Sequence, residues 1–143
     1  MIGKNCKIFI QFFLQISNTT MNKFTKQVIA SAVIMLVLDF LYLSINKANF
    51  ENQVISVQRV IMQVRPIPVV FCYLLLIFGL AYFILRQHRS PLEAFMLGIV
   101  IYGVFDTTNA AIFKKWSYPL AIMDTLWGGI LMAATTQAVY TII

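Results

Sequence analysis

Residues 92–113 read LEAFMLGIVIYGVFDTTNAAIF, an apolar run long enough to cross a bilayer but interrupted near its end by Asp106 and Asn109. Spanning the hydrocarbon takes about 20 residues at ~1.5 Å of rise each. An ionised side chain near the centre of such a helix costs about 2.5–3.5 kcal/mol on insertion scales, against a gain of roughly 0.5 kcal/mol for each strongly apolar residue. Asp106 cancels much of that gain and Asn109 removes more. The run is a marginal membrane helix on its own and needs neighbours against which its polar face can turn.

Composition agrees with that reading. The chain has 143 residues, of which 60 % are hydrophobic and 11 % charged, where a soluble domain carries roughly 25 % charge. One domain fits this length, and too few polar residues remain to cover a soluble surface, so the sequence predicts an integral membrane protein. The formal charge is +6, but the basic residues fall between apolar runs. That placement suits interfacial anchoring and anionic headgroups and does not suit nucleic acid. Cys6 and Cys72 lie in separate segments without metal or redox spacing. His88, alone beside Arg86 and Arg89, is an interfacial residue and not a metal ligand. No Gly-rich phosphate loop or Ser–His pair is present, and neither a cofactor nor a metal is expected.

Four runs reach spanning length: about Gln27 to Ile45, Ile67 to Leu85, Leu92 to Phe113, and Pro119 to the C-terminus. Pro91 and Pro119 open helices at positions where a missing N–H is harmless, and Arg65-Pro66-Ile67-Pro68 opens the second run in the same way. The short connections after the second and third runs predict antiparallel, adjacent neighbours. Only the loop from about Asn46 to Arg65 has room for structure of its own. The expected fold is an all-α integral membrane four-helix bundle over residues 21–143, preceded by an extension of residues 1–20. In that extension Lys4, Lys7, Gln11, Gln15 and Asn18 form a narrow polar stripe beside Ile8 to Ile16, the pattern of an amphipathic interfacial helix. A signal peptide and a natural start at Met21 are the rival readings. With the N-terminus inside, six basic residues lie inside and five outside, which leans weakly to cytoplasmic termini.

Three of the five acidic residues, Asp39, Asp106 and Asp124, fall within the spans. The first and third helices run one way and the fourth the other, so all three reach the same half of the bilayer, about 7–11 Å below the surface that faces the long loop. Each has a polar-tipped residue three positions on: Tyr42 after Asp39, Asn109 after Asp106, Trp127 after Asp124. Three apart on a helix is one face. Tyr102 joins the face of Asp106, Gly98 and Ala110 extend it, and Gly128 and Thr135 do so beside Asp124. Small residues permit close approach and polar ones bond across it. The expected cluster is therefore Asp39, Tyr42, Tyr102, Asp106, Asn109, Asp124 and Trp127. Lys47, Arg59, Arg65, Lys114 and Lys115 are placed to fold over its mouth.

At these residues the sequence resembles domain-of-unknown-function family 2177, a family of small predicted four-helix membrane proteins. The matching elements are Asp39, Tyr42 and Leu43; Arg65-Pro66-Ile67-Pro68 followed by Tyr73; Phe105, Asp106, Thr108 and Asn109 with Trp116 beyond; and Asp124, Trp127 and Gly128. Tyr42 replaces the usual first-helix tryptophan, and residues 1–20 extend past the family's usual start. The resemblance implies a four-helix membrane protein and no particular activity.

Three functions are open to such a cluster. Carboxylates from several helices can bind a proton, a cation or a small polar solute for transport or conduction, in a homo-oligomer given the small size of the chain. The same face can serve only for helix association and assembly. Asp106 and Asp124 can also form an intramembrane aspartic dyad, although neither lies in a Gly-x-Gly-Asp element. The sequence favours movement of a solute or ion over enzymatic chemistry, with the lipid bilayer as the constant partner.

Overall fold

Capping residues and prolines set the helix starts. The computed structural model describes residues 2–143, with side chains from Gly3 onward. Helix α1 covers Ile2–Asn18, and α2 covers Lys23–Ile45 after Asn22, whose side chain accepts from the Phe24 N–H. Helix α3 spans Lys47–Gln58 and stops at Arg59, which adopts a left-handed conformation with φ of 57°. Helix α4 runs Pro66–Leu80 with proline in its first turn, then widens into a π-helical turn over Ala81–Leu85. Helix α5, Pro91–Ile112, starts on a full capping box in which Ser90 and Glu93 satisfy each other's main chain. Helix α6, Tyr118–Ile142, is capped by the Ser117 side chain on the Leu120 N–H.

The architecture is an all-α helical bundle of a membrane protein. Helices α2, α4 with its π-helical turn, and α5 are each long and apolar enough to cross a bilayer. Six helices stand where the sequence predicts four, together with the amphipathic extension. The long loop supplies the additional one, α3. Helix α6 has the length to span at 25 residues, but it is not one of these three, because Asp124, Thr135, Thr136 and two glycines interrupt its apolar stretch. The reason is positional. It is the innermost helix, packed chiefly on α5 and then on α2, so its polar groups face protein.

Neighbour order also departs from expectation. Helix α4 packs on α2 and not mainly on α5, despite the short connection between them. The π-helical turn and the left-handed His88, with φ of 51°, redirect the chain there. Tyr140 near the end of α6 fastens that turn by donating to the Arg89 carbonyl at 2.9 Å. A single core joins Ile34 and Met35 of α2, Leu80 of α4 and Leu131 and Met132 of α6, and Phe13 of α1 joins it from outside. Around the bundle Leu36, Phe40, Phe71, Leu75, Val100, Ile122 and Ile130 are exposed. An apolar belt of this extent is what lipid tails cover.

The closest approach is between α5 and α6. A methyl group placed on Gly98 would fall on the Gly128 carbonyl and within 2.8 Å of the Gly129 Cα. Beside it the Tyr102 ring lies against Gly128, and Phe95 and Ile99 lie against Gly129. Glycine is required at this seam because main chain meets main chain.

Candidate functional site

Near the α3 end of the bundle, α2 and α6 exchange hydrogen bonds through two matched pairs. The Trp127 indole N–H donates to Asp39 at 2.9 Å, and the Tyr42 hydroxyl donates to Asp124 at 3.5 Å. The helices are antiparallel, so residues three apart on one face residues three apart on the other in reversed order. Each aspartate is thus served by the aromatic that belongs to the opposite aspartate's turn. Between them the Tyr42 and Trp127 rings stack at a centroid distance of 4.5 Å and an angle of 8°.

The network extends to the other two long helices. The Tyr73 hydroxyl of α4 donates to Asp39. Thr125 of α6 donates to Asp106 of α5 at 3.3 Å, and Asp106 is also flanked by the Asp124 carboxyl and the Trp116 indole. All three aspartates are buried, with 6 %, 3 % and 8 % of their surface exposed for Asp39, Asp106 and Asp124 respectively. Their donors are neutral hydroxyl and indole groups. Among the described residues the ion pairs are Lys47–Glu51 and Arg89–Glu93, and neither includes one of these carboxyls.

Helix α3 covers this end. Its Phe50 meets the Tyr42 ring edge-on at 5.9 Å. The buried Gln53 clasps the α5–α6 connection, donating to the Lys115 carbonyl at 3.1 Å and accepting from the Ser117 N–H at 2.9 Å. A polar cleft of about 410 Å³ opens there, lined by Asn49, Asn52, Gln53, Ser56, Lys115 and Ser117 among others. On the flank a groove of about 560 Å³ between α5 and α6 runs down to Asp106 and Thr125 between apolar walls.

Of the residues expected at the site, Asp39, Tyr42, Asp106, Asp124 and Trp127 lie in one connected network. Tyr102 packs next to it on Gly128. Asn109 is only half-buried, and its side chain makes no hydrogen bond among the described residues. Arg59, Arg65, Lys114 and Lys115 are exposed at the same end and pair with none of the aspartates. Sequence spacing missed Thr125 and Gln53 and left Tyr73 outside the cluster. Tyr73 had a signal, as one of only two hydroxyls, with Tyr82, within the second apolar run. Gln53 had none, because its partners are main-chain atoms.

Fold and site together define a polytopic all-α membrane protein whose innermost helices share a buried acidic and aromatic network. The family described as Predicted membrane protein (DUF2177) matches residues 24–141, and the chain belongs to it. No curated protein and no solved structure matches the chain.

Proposed function

We propose that the chain carries or conducts a small cation, in the simplest case a proton, and that Asp39, Asp106 and Asp124 hold it. One observation carries this reading: three carboxyls from three helices are buried together and satisfied by neutral donors alone. A carboxylate shielded from water needs a compensating charge. With no lysine or arginine paired to these three among the described residues, a bound proton or cation is the natural complement.

In this reading α6 is a fourth crossing. Its length is about 37 Å at ~1.5 Å per residue, and its outer face shows Ile122, Leu126 and Ile130 to lipid. Four crossings put both ends of the bundle on one side, which we assign to the cytoplasm. In this reading the ion enters from the end that α3 covers, where the polar cleft opens beside Gln53. On the same reading Met35, Leu80, Leu131 and Met132 form a hydrocarbon layer beneath the cluster, with the buried Ser31, Thr135 and Thr136 beyond it, and that layer is the barrier on the far side. A bundle this small would work as a homo-oligomer.

Proteoliposome flux over a panel of cations and pH values tests the proposal. Wild type should conduct, and Asp106→Asn should abolish flux with its detergent size profile unchanged. Equal flux in Asp106→Asn removes the reading. A second reading has its own support, since the same bonds tie α2 to α4 and α6 and tie α5 to α6. If the network serves only to hold helices together, the variant misassembles and no folded but inactive species is found.

A further inference from the structure

At the end of the bundle opposite the aspartates, a pocket of about 300 Å³ lies between the start of α2 and the turn after α4. Lys23, Arg86 and His88 line it, with Asn22 and Gln27. No ion pair among the described residues neutralises Lys23 or Arg86. Gln27, 2 % exposed, adds a polar side chain to the same pocket. Phe24 and Arg86 are shared with a second hollow of about 430 Å³, otherwise lined by Val28, Leu74, Ile77 and Phe78 among others. The first hollow is cationic and lies at the helix ends. The second is apolar and runs along α2 and α4 toward the middle of the bundle.

We infer that this joined pair of hollows binds an anionic phospholipid, with the phosphate among Lys23, Arg86, His88 and the Gln27 amide, and an acyl chain laid along Val28, Leu74 and Phe78. Charge complementarity selects an anionic head, and the apolar continuation selects a lipid over a free phosphate. The π-helical turn at Ala81–Leu85 belongs to the device. It carries wide-turn bonds from the Arg86 N–H to the Ala81 carbonyl at 2.8 Å and from the Arg89 N–H to the Ile84 carbonyl at 3.0 Å. Such turns displace the following residues from regular helical positions, here Arg86 and His88 at the rim. The Arg86 guanidinium sits 5.4 Å above the Tyr82 ring centre, where it borders both hollows.

The test uses the full chain in nanodiscs of phosphatidylcholine doped with phosphatidylglycerol, followed by detergent extraction and native mass spectrometry of the retained lipid. Phosphatidylglycerol should be retained in preference to phosphatidylcholine. Lys23→Gln with Arg86→Gln should reduce that preference about thirtyfold, the loss expected for two basic residues near an anionic surface. Val28→Phe, which narrows the acyl hollow and leaves every cation in place, should also weaken retention, and it serves if the double variant does not fold. Excess inorganic phosphate should not displace the lipid. Equal retention of both lipids, an unchanged preference in the folded variants, or displacement by phosphate alone would overturn the inference.

Discussion

Trp127 serves two neighbours at once: its indole holds Asp39 at 2.9 Å, and its ring lies flat on Tyr42. Trp127→Phe keeps an aromatic surface but removes the donor from a buried carboxyl, a change that costs about 1–3 kcal/mol. Tyr42→Phe keeps the stacked ring and removes a longer bond of 3.5 Å, so it should cost less. Thermal unfolding in detergent should rank wild type above Tyr42→Phe and Tyr42→Phe above Trp127→Phe, and the double variant should be non-additive because the two side chains touch. A reversed order, or full additivity, would show that the exchange contributes little. At this scale the sequence was informative in part. Spacing of three placed Asp39 with Tyr42 and Asp124 with Trp127 on shared faces. It was silent on the exchange of partners between helices, which depends on how α2 and α6 are rotated and slid against each other. Asn109, three residues after Asp106 on α5, is half-buried and its side chain makes no hydrogen bond among the described residues.

Among the elements, the α5–α6 seam is the least forgiving. A valine at Gly98 would drive its side chain into the Gly128 main chain, and main chain in a packed pair of helices does not yield as a flexible side chain does. Overpacking of this kind costs about 1–3 kcal/mol or more. Gly98→Val should therefore lose its single peak on size exclusion. Gly79→Ala, where a methyl group meets nothing within 4 Å, should keep that peak; the same outcome for both variants would refute the seam. Helix positions were legible from the apolar runs because membrane thickness fixes their length and proline and serine mark their starts. The run expected at Gln27–Ile45 is the helix Lys23–Ile45, and that expected at Leu92–Phe113 is Pro91–Ile112. Helix α3 was not legible, since its sequence is weakly apolar and it is fixed by Gln53 bonding to main chain. The neighbour order was misread because a short connection limits distance without choosing a partner.

For the whole molecule, the open question is what α1 adds. Phe13 and Ile16 are each 6 % exposed, and the Lys26 ammonium donates to the Ser17 carbonyl at 2.6 Å. The match to the family begins only at residue 24. A chain started at Met21 should insert and assemble, with a lower unfolding temperature, since burying each such side chain contributes about 1.5–3 kcal/mol. An unchanged melting curve would mean that α1 rests on the bundle without supporting it. The crossed bonds between α2 and α6 reach beyond stability. Because each turn supplies both the acid and the donor that its counterpart needs, replacing one member strands a dipole on the other helix in a setting where water cannot repair it. Drift at Asp39 is then tied to drift at Trp127, and drift at Tyr42 to drift at Asp124, so tolerated substitutions should arrive as compensating couples and single steps should stall.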